Sequence, residues 1–467
     1  MTRFLNRRGF LRSSGAATLG YLFTGPAWSV TRAAKANERL AVAGIGVGGK
    51  GRSDIEQAGQ LMDVIAICDI DESERGLGGA AKKFPMAKTF VDFRKIFNDP
   101  EIVRNLDAVV VSTADHTHAL ACVMAMRRGK HVYCQKPLTH TVYEARLLRE
   151  VAREKNVCTQ MGNQGTAANG LRRAVEFVRG GGIGPVKEVH VWTNRPIWPQ
   201  APEVTSDKPP KTAECPPHVH WDLFLGPAPS RPYAEKIHPF AWRGYWDFGT
   251  GAIGDMACHT ANTAFMALDL ASPTRVSAEA GDVNPLTCPS YAHVVMEFPA
   301  RGSNPPVVLH WYEGKKNGQK VLPPQELLSK VLKKGQQLVN SGSILVGEKA
   351  IMYSPNDYGA QWLIVTDSGI EPLTGNPEKL PINNGGDFGQ KKEWVEAIKA
   401  GKPSLALANF DYASLLTEAF LLGNVAIRAG KPFDWDGETG KVKNCPEAEP
   451  YLHMEYRKNW DLLHEKV

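Results

Sequence analysis

Between residues 39 and 162, short apolar runs alternate with stretches of helical periodicity. "RLAVAGIG" (39–46) reads as a strand, and a helix begins over Lys50 to Gly59. "DVIAICD" (63–69) and "LDAVVVS" (106–112) are further strands, followed by a helix from about His116 to Arg128 that Gly129 ends. "HVYC" (131–134), a helix over Val142 to Lys155 and "VCTQMG" (157–162) complete the series. Apolar strands separated by helices predict a parallel sheet covered on both faces. Beyond residue 162 the pattern changes. Strand-like pieces fall at Val186–Thr193, Arg275–Ala280, Ala292–Phe298, Val307–Tyr312, Ser343–Tyr353 and Trp362–Thr366, with few helices between them. They predict a second α/β domain with an open, mostly antiparallel sheet. Segments 194–240 and 313–340, rich in Pro, Gly and Lys, read as long surface excursions. Asp387–Ala400 and Tyr412–Ala429 are helical, and "AGKP" stops each of them, Gly ending the helix and Pro preventing its resumption. The expected layout is a dinucleotide-binding domain over 38–162, an α/β domain over 163–435 and a tail over 436–467.

Composition places the chain among soluble globular proteins, with 43% hydrophobic and 22% charged residues over 467 positions. The net charge of +6 is concentrated at the start. Residues 1–36 carry Arg3, Arg7, Arg8, Arg12, Arg32 and Lys35 and no acid, which leaves the remainder balanced. That balance gives no reason to expect nucleic acid or an anionic membrane as a partner. "NRRGFLR" (6–12), the apolar stretch Gly15–Val30 and the small-x-small site Ala34-Lys35-Ala36 resemble a twin-arginine export signal. A membrane anchor or an unstructured tail is the alternative. Cleavage of such a signal implies an extracytoplasmic protein exported folded, with its cofactor already inside. No later segment has the length of a spanning helix. Eight cysteines include no CxxC pair, so neither a disulfide framework nor a metal centre is expected.

"GIGVGG" sets Gly44, Gly46 and Gly49 in a G-x-G-x-x-G pattern between a strand and a helix. The first glycine permits the turn, the second admits a pyrophosphate, and the third lets helix and strand close-pack. The helix N-terminus adds N–H donors and partial positive charge. Asp69 ends the next strand, where a carboxylate binds the adenosine ribose and disfavours a 2′-phosphate. NAD is therefore expected, with NADP as an alternative because Arg75 lies close by. "STADHTH" (112–118) follows another strand, and strand C-termini are where ligands sit in such sheets. Thr113 and His118 face the ribose or nicotinamide on this reading; on the other, Asp115 or Thr117 only caps the next helix.

Together these segments resemble the glucose–fructose oxidoreductase / inositol dehydrogenase / MocA-like (Gfo/Idh/MocA) oxidoreductases over most of residues 38–435. "GKHVYCQKPLTHTVYEA" is similar to the family segment in which Glu-Lys-Pro ends a strand, with Gln135 here in place of the Glu. "MGNQG" (161–165) and "GTGAIGDMACH" (249–259) resemble a subgroup of large, often exported members. The resemblance implies NAD(P)-dependent oxidation or reduction of a sugar, polyol or sugar-derivative hydroxyl. It also implies a homo-oligomer joined through the open sheet. It places Lys136 beside the nicotinamide and the reacting hydroxyl, with Asp255 and His259 lining the substrate pocket. An amide at 135 holds the lysine only by hydrogen bonds, which leaves its protonation state open.

The chemistry of these groups agrees with such roles. Imidazole suits a base that removes a hydroxyl proton, and an ammonium suits stabilisation of the oxygen. Asp255 and His259 share a helix face at i and i+4; otherwise Asp255 caps that helix and His259 is a core histidine. Trp242 and Arg243 suit a sugar ring or sugar acid, and Asn163 and Gln164 suit cofactor or sugar hydroxyls. Outside the cytoplasm a retained cofactor must be regenerated in each cycle. A redox-neutral glycosidase working by oxidation, elimination and re-reduction is therefore an alternative to a net oxidoreductase. A non-catalytic sugar-binding protein is a third reading.

Overall fold

The computed structural model describes residues 39–205, 207–461 and 463. The export signal read over residues 1–36 lies outside them. Six strands run parallel: β1 (Ala41–Ile45), β2 (Asp63–Cys68), β3 (Lys88–Phe90), β4 (Ala108–Val111), β5 (His131–Cys134) and β6 (Thr159–Met161). Their order is β3-β2-β1-β4-β5-β6, the arrangement of a doubly wound dinucleotide-binding sheet. The strands carry few polar residues because both faces are covered: Val109, Val110 and Val111 are all buried. Among the covering helices are α1 (Gly49–Leu61), α2 (Asp115–Arg127) and α3 (Val142–Lys155). Thr141 and Glu144 form a capping box at the start of α3. Only β3 goes unread in the sequence, its three residues being too few to show a period.

The second sheet has eleven strands. Its path includes β7 (Val186–Trp192), β8 (Arg275–Gly281), β9 (Tyr291–Phe298), β10 (Val307–Lys316), β11 (Gly342–Gly347), β12 (Ile351–Ser354), β13 (Leu363–Thr366) and β14 (Gly369–Pro372). The strand pair β15 (Phe433–Asp436) and β16 (Lys441–Val442) closes one edge, and Gln319–Lys320 pairs with β10. Every pairing is antiparallel except that of β7 with β10. The single strand read over Ser343–Tyr353 is a hairpin, broken where Glu348 and Lys349 turn into solvent.

Alternation fixes the two faces of this sheet. Val189, Val191, Val294, Leu309 and Trp311 join the core shared with the helices, among them α4 (Gly251–Thr260), α5 (Gly386–Ala400) and α6 (Phe410–Ala429). Gly401 and Gly430, at φ +61° and +65°, end α5 and α6 as the "AGKP" pattern predicts. On the other face, Trp192, Tyr312, Ile344 and Tyr353 form a smaller cluster with Leu328 and Val331. Part of segment 313–340, read as a surface excursion, thus folds back as a helix (Gln325–Val331) over the sheet.

Candidate active site

The glycine turn joins β1 to α1. Gly46 has φ +76°, and a Cβ there would lie 2.7 Å from the Ser112 carbonyl oxygen. A Cβ on Gly48 would lie 2.9 Å from the Arg75 carbonyl oxygen, and one on Gly51 only 1.8 Å from that of Gly46. The close-packing glycine is therefore Gly51, and the working triplet is Gly46, Gly48 and Gly51. This corrects the register read from the sequence by two residues. Gly44 lies inside β1, where its missing side chain makes room for Ile55. Gly49 opens α1 at φ +50° with free space around it. Five glycines in eight residues made both registers fit the pattern.

Asp69 closes this turn from beneath. Its Oδ2 accepts from the Val47 and Gly48 amides at 2.8 Å each, and Oδ1 from the Asp71 amide at 3.0 Å. Burial raises its pKa against those backbone bonds. A cleft of about 890 Å³ starts here, bordered by Asp69 and Arg75, and ends at Lys136, Asp255 and His259.

At that far end Lys136 follows β5, and its Nζ donates to Asp255 Oδ1 at 2.5 Å and to the Asp255 carbonyl at 3.2 Å. Gln135 turns the other way. Its Nε2 donates to Asp54 Oδ2 at 2.9 Å, where Ser112 Oγ also donates. Asp54 Oδ1 is ion-paired with Lys391 and Lys50 at 2.9 Å each. Burial works against the Asp54 carboxylate, but the two lysines outweigh it and lower its pKa. A glutamate at 135 would set a second carboxylate against this buried one; the amide supplies a donor instead. The lysine's counterion is thus Asp255, not residue 135.

Asp255 lies on α4. Arg243 Nε is 3.3 Å from its Oδ1, and Arg195 Nε is 3.7 Å from its Oδ2. Burial opposes its charge, yet Lys136 and then Arg243 hold it well below the usual carboxylate range. One turn on, His259 is buried, with its Nδ1 unpaired and its ring edge-on to Tyr358 at 4.9 Å. Burial first, then the charge of Lys136, push its pKa well below the ordinary value. Both effects favour the neutral imidazole, which keeps a lone pair free to accept a hydrogen bond. Asp255 spends its bonds on Lys136 and Arg243 and makes no hydrogen bond to His259.

Arg243 is itself anchored. Its Nη1 donates to both Asp115 oxygens at 2.9 Å, and its guanidinium lies 4.4 Å over the Trp242 ring. Asp115 also accepts from the Thr250 amide and hydroxyl, so it ties α2 to the start of α4. Trp242, Arg243, Thr113 and Gln164 all line the cleft. Besides Gly44, two expected residues do not. His118 places Nδ1 2.9 Å from the Pro137 carbonyl and Nε2 3.0 Å from that of Thr113, so both nitrogens are spent holding backbone beneath the lysine turn. Asn163 is fully buried, donating to the Cys258 carbonyl and accepting from Gln390. Arg195, Tyr358, His238 and Phe240 also line the cleft, and the sequence reading missed them. Arg195 carried a usable signal, a cation just past an apolar strand, as Lys136 is. Tyr358 sits in a loop with no periodicity to mark it.

Two family models match the chain and together span more than half of it. One, described as an oxidoreductase family with an NAD-binding Rossmann fold, covers residues 39–163. The other, the C-terminal alpha/beta domain of the same oxidoreductase family, covers residues 204–319. Levoglucosan dehydrogenase of Pseudarthrobacter phenanthrenivorans is 28% identical over 40% of this chain and 38% of its own length. Glycosyl hydrolase family 109 protein 1 of Shewanella sp. MR-4 is 29% identical over 34% of this chain and 39% of its own. The chain thus matches less than half of either relative. In fold it is similar to aldose-aldose oxidoreductase from Caulobacter crescentus, with a TM-score of 0.57 at 15% identity over 85% of this chain and 99% of that one.

Proposed function

The chain belongs to the Gfo/Idh/MocA oxidoreductase family, and from that premise we propose that it transfers hydride between NAD and a hydroxyl-bearing carbon of a sugar, polyol or sugar derivative. The observation that carries this reading is one wall: Lys136, Asp255 and His259 meet at the end of the cleft that begins at the glycine turn. The residues fit the cofactor. Gly46 and Gly48 leave the turn without side chains, the α1 N-terminus faces it, and Asp69 at the end of β2 would accept from the ribose hydroxyls. Thr113 and Lys136, which line the cleft, would border the nicotinamide. When bound, NAD supplies the hydride acceptor or donor.

The chain's own groups manage the proton and the charge. His259, held neutral, takes the proton from the substrate hydroxyl oxygen. Lys136 donates a hydrogen bond to that oxygen, and Asp255 keeps the ammonium aimed. Arg243 and Trp242 form a flat, cationic wall for the ring, and Gln164 offers an amide to its hydroxyls. A second reading, favoured by the likeness to a family 109 glycosyl hydrolase, is redox-neutral cleavage of a glycoside by the same groups. Export by the twin-arginine route, proposed from residues 6–12, would favour a cofactor kept in the cleft between turnovers.

Sugars, polyols, sugar acids and aryl glycosides added to the as-purified protein test both readings. Lasting reduction of bound NAD supports the oxidoreductase. Leaving-group release without net reduction supports the glycosidase. Ligand binding without either, unchanged in Lys136→Ala and His259→Ala, would make the protein a sugar binder.

A further inference from the structure

We propose that the outer face of the second sheet holds a zinc site built from Glu188, His190 and His310, none of which lines the cleft described above. Glu188 and His190 are two apart on β7, so their side chains leave the same face. β10 runs beside β7 in parallel register, with His310 directly opposite His190. Three ligand atoms are therefore brought together by two neighbouring strands. His190 Nε2 lies 2.9 Å and His310 Nε2 3.6 Å from the same Glu188 Oε1, and all three atoms fall within 4.8 Å of one another. A tetrahedral zinc with bonds of about 2.0–2.1 Å keeps its ligand atoms roughly 3.3 Å apart. The two carboxylate–imidazole distances bracket that spacing; the imidazoles are stacked with centroids 4.8 Å apart, so binding would draw their Nε2 atoms together.

The surroundings orient both rings. His190 Nδ1 is 2.9 Å from the Tyr312 hydroxyl, and His310 Nδ1 is 3.2 Å from His293 Nε2. Without metal, His190 Nε2–H donates to Glu188; with Zn2+ bound, each Nδ1–H would donate to these partners and free the Nε2 lone pair for the ion. Two imidazoles and one carboxylate select zinc over magnesium or calcium, which prefer all-oxygen sets. Three protein ligands leave a fourth position open on the outer side of the sheet.

The test is Zn2+ titration of the untagged full chain, freed of metal by dialysis against a chelator and followed by calorimetry. One Zn2+ per chain is expected. Tyr312→Phe should weaken it about 10- to 100-fold, as loss of an orienting partner does. Glu188→Gln and His310→Ala should weaken it further, while NAD binding stays at the wild-type level in all three. Glu188 is half exposed and Gln is isosteric, so that variant keeps the fold and its result decides even if His310→Ala does not fold. No zinc binding by the wild type, or unchanged stoichiometry and affinity in Glu188→Gln, would overturn the assignment.

Discussion

A buried imidazole beside a lysine resists protonation, and His259 is placed so. The base must be neutral to act, and its pKa is lowered by burial and by Lys136. Activity limited by this group is lost only as pH falls through that lowered value. The kcat/KM profile is therefore expected to stay level through the range where a free histidine titrates, near pH 6.5. A fall centred there would mean the imidazole is solvated. Replacing His259 by Ala should cost turnover about 10²- to 10⁴-fold, the usual worth of a positioned base, with NAD affinity retained. Gln135 allows a separate test. Gln135→Glu buries a carboxylate against Asp54, which raises the new group's folded-state pKa above its unfolded value. The penalty then grows as pH rises above the unfolded value, so the loss of Tm should be larger at pH 8 than at pH 5. An equal loss at both would show that residue 135 is not held against Asp54. The same residues show what single side chains reveal in sequence. Lys136 drew notice as a charge at a strand end, whereas Asp255 and His259 were singled out by the family resemblance, their i, i+4 spacing fitting a cap and a core histidine equally well. His118 and Asn163 looked equally suited, but carbonyls and an amide packed beneath them claimed their polar atoms. Nothing local in the chain records which backbone groups lie there.

The glycine turn raises the same question for an element. The strand–turn–helix was legible from its apolar run and glycines, whereas its register depended on backbone contacts across the turn. A methyl group on Gly51 meets backbone, while one on Gly44 meets the Ile55 side chain, which can shift. Gly51→Ala should therefore abolish NAD binding and lower Tm, and Gly44→Ala should cost less of both. Calorimetric titration of the two variants checks this; the reverse order would restore the register read from the sequence. The helices were read well for a related reason. Gly401 and Gly430 end α5 and α6 through their own backbone freedom, a property each residue carries wherever it sits. The hairpin β11–β12 depended on where two strands pair, and so was read as one strand.

Across the whole molecule, the cleft draws its walls from distant stretches: the turn near residue 46, Lys136, Arg195, the 238–259 segment, Tyr358 and, near the chain's end, Trp460. The two domain classes were legible because each has its own period and layering. The meeting of these stretches was not, since it follows from packing over hundreds of residues. A ligand that bridges such walls stabilises them together. NAD at 100 times its Kd should add about 2.7 kcal/mol to the folded state and raise Tm, and NADP at the same concentration should raise it less because Asp69 opposes a 2′-phosphate. Equal shifts would remove Asp69 from the ribose site. The most direct test of the shared site is a single-turnover experiment on NAD-loaded protein without free cofactor. Adding a reactive sugar or polyol should produce the reduced-nicotinamide absorbance in the wild type and suppress it in His259→Ala with NAD still bound. Reduction at the same rate in that variant would contradict the assignment of the proton to His259 and with it the account of the cleft.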